Sequence, residues 1–316
     1  IAAFMREHEP IHTFSVGFEE DNNECLISRK TASKLKTHHH EWIIGEQQYF
    51  DMVQNCIWFQ DDPVADPAAI ALYGASQLAS EHVKLVLSGE GADELFGGYG
   101  IYKEPKALRA LQWMPQSLKD AIKPMIKSLP HFYGKNYLLR ATTALEDRYV
   151  GNAKIFSDDV DQIVSDTIQD KLRNMKNAFE WAKQYYRMVE GVDEITRMQF
   201  VDLHLWLPGD ILAKADKMSM AHSLELRVPF LDREVFEVAR KIPASYRINK
   251  QMTKQILREA LQDVVPENIV FRPKLGFPVP LRQWLRGKRG NTCLEVIRSS
   301  GLRHYMNMHY AEQLVR

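Results

Sequence analysis

The chain has 316 residues, and its 41 lysines and arginines balance 41 acids, so no global field draws it to nucleic acid or an anionic membrane. Its three cysteines, Cys25, Cys56 and Cys293, are odd in number and far apart, which excludes a disulfide framework or a zinc-ligand spacing and points to a reducing, cytoplasmic compartment. No apolar run of about 18 residues and no secretory-signal pattern is present, and the length suffices for one large or two ordinary domains with a sizeable core.

The first residues, "IAAFMREHEPIHTF", read as the end of a helix running into a strand, as in a chain cut mid-domain. Three β-rich runs follow, "IHTFSVGF" (11–18), "HHEWIIG" (39–45) and "HVKLVLSG" (82–89). Between them, "GEQQYFDMVQNCIWF" and "DPAAIALYGASQLASEH" carry apolar residues at helical spacing. Strand alternating with helix predicts an α/β fold with a doubly wound parallel sheet. After about residue 105 the strand runs stop, and "NAFEWAKQYYRMV", "EITRMQFVDLHLWL", "GDILAKADKMSMAHS" and "TKQILREALQDVV" predict a mostly helical second half. Prolines at 105, 115, 124 and 130 mark the junction, dividing the chain into an α/β core, 1–115, and a helical part, 116–316. Histidines 38, 39 and 40 form a run, but neighbours on a strand point to opposite faces, so the three cannot converge on one ion and read as a strand entry. The tryptophans, Trp181 and Trp206 among them, read as core.

The densest chemistry lies in "LVLSGEGADELFGGYGIYKEP" (85–105). In open parallel sheets ligands bind beyond the carboxyl ends of the strands. This strand ends at about Leu87, so Ser88, Gly89, Glu90, Asp93 and Glu94 fall in that crevice, and Gly89 and Gly91 let the backbone approach a ligand closely. Acids there have two tasks open to them: holding a divalent cation beside phosphates, or accepting a proton. The structural alternative is that Asp93 and Glu94 cap the following helix. Asp66, in "QDDPVADPAA", reads as the cap of a helix starting at Pro67. "ILAKADKMSMAHSLELRVPFLD" alternates Lys214, Asp216, Lys217, Glu225, Arg227 and Asp232 with apolar residues and reads mainly as an ion-pair network, with a site wall as the alternative. Lys274, in the proline-framed "FRPKLGFPVP", suits a phosphate or a developing negative charge; the alternative is a solvated surface lysine.

Taken in order, "SVGF", "HHEW", "DDPVADPAA", "LSGEGADELFGGY", "ADKMSMAHSLELRVPFLD" and "RPKLGFPVPLRQWL" closely resemble the synthetase domain of glutamine-hydrolysing asparagine synthetases, over nearly the whole chain. The resemblance implies an ATP pyrophosphatase fold that uses magnesium ATP to activate aspartate as β-aspartyl-AMP, which ammonia then converts to asparagine. It implies that Val16, Ser88 and Gly89 line the adenosine pocket and that Glu90 acts beside the aspartyl-adenylate. Asp93 would hold magnesium and pyrophosphate, Lys274 would neutralise the phosphates, and Lys103 would be a further contact to them. Implied partners are aspartate, ATP and ammonia or glutamine, with no nucleic acid or membrane, and a homodimer for the full-length enzyme.

Two departures from the family pattern stand out. No S-G-G-x-D-S phosphate loop occurs between Ile1 and Arg316, and no glutaminase domain with an N-terminal cysteine is present. The chain is therefore expected to be a piece of a longer enzyme, lacking a central strand and inactive alone. A non-catalytic nucleotide- or partner-binding module, or another carboxylate-adenylating amidotransferase, are the alternatives.

Overall fold

β1 (His12–Phe18) and β2 (His38–Ile44) pair in parallel, His12 opposite His38 and Phe18 opposite Ile44. The structure, a computed structural model, describes the chain apart from residues 6–10, 20–23, 63, 112, 131, 153–159, 174, 250, 273–278 and 316. The two-residue period of a strand sorts the side chains of this pair. Val16, Phe18 and Ile44 enter a core shared with Tyr49, Met52 and Tyr73. Ser15 and Glu41 point the other way, to Cys25 and Arg29. Four helices flank these strands: α1 (Ala2–Met5), α2 (Glu24–Leu35), α3 (Glu46–Gln60) and α4 (Ala68–Ser80). With α2 on one side and α3 and α4 on the other, both faces are covered, as buried parallel strands require.

β3 (Leu85–Leu87) pairs in parallel with β4 (Glu225–Arg227), Leu85 opposite Glu225. The parallel sheet expected from the sequence as one doubly wound unit thus stands, among the described residues, as two two-stranded pairs. Between β1 and β3 lies a cavity of about 480 Å³, walled by apolar side chains that include Phe14, Leu72, Ala75, Leu87 and Leu226. Strands share a ladder only at about 4.8 Å, and the two edges are separated by this cavity. β4 comes from the half of the chain that reads as helical, because three residues are too few for a period-two pattern to stand out. The same half also completes the first core, where Met218 is fully buried and Trp284 packs against it.

A second core gathers Tyr102, Leu145, Tyr149, Tyr186, Met198 and Ile248. The helix Ala178–Met188 opens on a reciprocal cap, Asn177 accepting from the Glu180 N–H and Glu180 from the Asn177 N–H, each at 2.9 Å. Ala182 and Tyr186, one turn apart, take its buried face. Trp181, expected in the core, is therefore turned outward and 55% exposed, with the Lys176 ammonium over its ring. Trp206 is half-buried and donates to the Tyr99 hydroxyl at 3.4 Å. The helix Glu194–Val201 runs through a π-helical stretch, Asp202–Leu212, into Ala213–Met220, with Pro208 inside the wider turns. Asp202 is fully buried and accepts hydrogen bonds from Tyr102 and Tyr149. Burial pushes its carboxyl up to about 7 against the opposing effect of the two hydroxyls. Among the described residues no helix is long and apolar enough to cross a membrane.

Candidate active site

The turn after β3 is built by glycine. The Ser88 N–H donates to the Arg227 carbonyl at 2.9 Å, so the chain leaves the strand still tied to β4. Gly91 enters α5 (Ala92–Phe96) with φ of 86° and Gly97 leaves it with φ of 72°, conformations that cost glycine little. At Gly98 the need is for space: a Cβ there would sit 1.6 Å from Asp93 Oδ1 and 2.4 Å from Lys254 Cε.

Around this turn lie a buried acid and an ion pair. Glu90 Oε2 is buried with no hydrogen-bond partner among the described residues, a costly arrangement for an oxygen whose only neighbours are protein atoms. Asp93 forms an ion pair with Lys254 at 3.0 Å, and the Lys254 N–H reaches the Gly97 carbonyl at 3.4 Å. Lys254 has φ of 53°, left-handed backbone that a residue with a side chain adopts only where its surroundings hold it. That hold comes from below, where Lys103 donates to the Gln251 carbonyl at 3.3 Å and Lys106 to the Ile248 carbonyl at 2.5 Å. Arg258 fastens the other side, donating to the Thr253 and Arg272 carbonyls at 2.8 Å each.

Glu94 faces inward. It is 1% exposed and accepts from the Tyr99 hydroxyl at 2.6 Å, while Gln199 donates to its backbone carbonyl at 2.5 Å and Arg247 to Gln199 at 2.8 Å. Burial first, then the Glu94 charge, push the Tyr99 hydroxyl far above its ordinary value, so it stays a donor. The capping alternative holds in part: no side chain caps α5, whose cap position is Gly91, but Asp93 and Glu94 both lie in its first turn, where acids favour the positive end of the helix.

Ser88 and Gly89 line the cavity beside β3. Val16 is buried in the first core, and the β1 wall of the cavity is formed instead by His12, Thr13 and Phe14. Lys103 supports the Lys254 loop, and Lys274 lies outside the described residues. The sequence reading missed Lys254, because "TKQILREALQDVV" was legible only as a helix. The available signal was a lysine at the cap position, where its charge opposes the helix dipole. The helix α4 starts one residue later than expected, with Pro67 at its cap position, and Asp66 just ahead of it accepts from the Ala68 N–H at 2.9 Å. Its other oxygen pairs with Lys214, which also reaches Asp210 at 3.1 Å, so Lys214 belongs to an ion-pair network.

Glu90 and the Asp93–Lys254 pair thus follow β3 at its carboxyl end, the place where parallel sheets of α/β proteins bind their ligands. The chain belongs to the asparagine synthase family, whose model matches residues 1–316. It is 42% identical over 310 residues to asparagine synthetase [glutamine-hydrolyzing] 1 of Bacillus subtilis (strain 168), covering 98% of this chain and 48% of that one. A sequence of Mycobacterium tuberculosis (strain ATCC 25618 / H37Rv), provisionally named for the same glutamine-hydrolysing enzyme, is 43% identical over 90% of this chain and 44% of its own. The amidase chry2 of Gibberella zeae is 22% identical over 90% of this chain and 46% of its own. The chain thus spans about half the length of the curated relatives it matches.

Proposed function

We propose that this chain is the synthetase part of an ATP-dependent asparagine synthetase, its segments 1–115 and 116–316 forming one such domain on a doubly wound core. The observation that carries the reading is the buried Glu90 oxygen, without a hydrogen-bond partner among the described residues, on the same turn as the Asp93–Lys254 pair. An oxygen of the aspartate β-carboxylate attacks the α-phosphorus of ATP, and the bond to pyrophosphate breaks. Ammonia, derived from glutamine in the full-length enzyme, then attacks the acyl carbon and the bond to AMP breaks. Glu90 accepts the proton that the attacking nitrogen must lose. Lys254 and Lys274 neutralise phosphate charge, Lys103 holds the Lys254 loop within reach, and Ser88 and Gly89 form the adenosine side, to which Val16 contributes through its backbone while its side chain stays in the first core. The carboxylate oxygens of Asp93 suit a hard cation, so Asp93 would hold magnesium, which would neutralise the phosphates. The apolar lining of the cavity between β1 and β3 supports a sheet that continues across it. A cytoplasmic location and a homodimeric full-length enzyme go with this reading.

Aspartate labelled with ¹⁸O in its β-carboxylate tests the chemistry in the full-length protein, with the 316-residue chain as comparator. Label is expected in AMP, with pyrophosphate released far more slowly by the shorter chain. Label in inorganic phosphate, or ADP as product, overturns the reading.

The same scheme sets a strong demand on Gly98. A methyl group there cannot coexist with the Asp93–Lys254 pair as placed. Displacement of about 1 Å at such a site costs about 10²-fold in rate, so Gly98→Ala is expected to slow asparagine formation by about that factor with a stability loss of about 1–3 kcal/mol. Steady-state rates and urea midpoints of the two full-length proteins measure this, and an unchanged rate would detach the pair from the reaction.

A further inference from the structure

Histidines 38, 39 and 40 cannot converge on one ion, because neighbours on a strand diverge, and the run does split: His39 turns to Thr13 and Ser15 on one face, His38 and His40 to the other. The topology then supplies ligands from elsewhere. His12 of β1, His40 of β2 and His82, just past α4, bring imidazole nitrogens within 4.8 Å of one another. His12 Nδ1 and His40 Nε2 are 2.9 Å apart, and the His40 and His82 rings stack at 3.8 Å between centroids. The group shares no residue with the Glu90, Asp93 and Lys254 site.

We infer that His12, His40 and His82 form a binding site for a borderline divalent transition-metal ion such as Zn²⁺. Neutral imidazole is a preferred ligand of such ions, which take nitrogen donors at about 2.0–2.1 Å and, with three histidines, leave one position to water. Three imidazoles from separate elements can meet such an ion without backbone rearrangement, because histidine χ2 is a broad torsion and stacked rings can turn their nitrogens toward a shared centre. Two of the rings sit on paired strands and are fixed by the parallel register, in which His12 is opposite His38. The third closes the site from the exit of the helix that packs on this face. A bound ion therefore ties β1, β2 and the end of α4 together.

The test is a Co²⁺ titration of the untagged full-length protein followed by visible absorption, with Zn²⁺ as competitor. The expected result is a saturable band of low-symmetry cobalt at one ion per chain, displaced by Zn²⁺. In His40→Ala and in His82→Gln the dissociation constant should rise by about 100-fold or more, and His39→Ala should match the parent. His82 is exposed, so its substitution keeps the test open if His40→Ala fails to fold. Absence of a saturable band, or a band that persists unchanged in His82→Gln, overturns the assignment.

Discussion

Replacing Glu90 with glutamine is expected to lower asparagine formation by about 10²–10⁴-fold, the range of a lost general base, while ATP binding and the urea midpoint stay near those of the parent. The amide keeps the shape of the side chain and removes its capacity to take a proton from the attacking ammonia. Stability should change by no more than about 1 kcal/mol, because Glu90 Oε2 has no hydrogen bond among the described residues to lose. Glu90→Asp, which keeps the charge one methylene further back, should recover part of the rate. Measured kcat for asparagine and for pyrophosphate release in the full-length protein separates the two half-reactions. Near-parental asparagine formation by Glu90→Gln would remove Glu90 from the proton transfer.

The second large effect is structural. Lys214→Met is expected to destabilise the fold by about 3–5 kcal/mol, the cost of breaking a buried pair and leaving a charge uncompensated. The Lys214 side chain is 10% exposed and joins Asp66 to Asp210, whose side chains are 25% and 9% exposed. Burial already pushes the Asp210 carboxyl up, with the Lys214 charge as the main opposing influence. Without that charge the folded value rises further above the unfolded one, so Asp210 contributes most at low pH and its contribution is lost as pH rises through the folded value. The penalty of Lys214→Met should therefore be larger at pH 8 than at pH 5, both read as urea midpoints. Lys214→Met combined with Asp210→Asn should recover part of the loss at pH 8. A penalty independent of pH would mean that lost packing of the lysine stem dominates.

Much of this molecule is legible residue by residue. The runs around Val16, Ile44 and Val86 are β-rich and bounded by polar or glycine punctuation, and each contains a strand. Local signals of the same kind place Asp66 at the entrance of a helix, to within one residue of its cap position, because the first helical N–H groups find their partners within a few residues. Trp181 shows the limit of that reasoning: its residue type favours burial, but the orientation of its helix is decided by which face the second core accepts.

The sequence by itself determined that an acid-rich, glycine-rich turn follows a strand, since glycine and acid side chains carry their conformational and chemical roles with them. It also determined, through the order of its motifs, the family to which the chain belongs. Only the tertiary structure decided which charges answer which. Lys254 meets Asp93 from the far half of the chain, through a loop held by Lys103 and Lys106. β4 finds β3 across the helical segments, and His12 and His82 join His40 after the strand alternation has separated it from His39. Such pairings rest on distances in space, and a chain that folds back over hundreds of residues sets those distances only when its cores have packed.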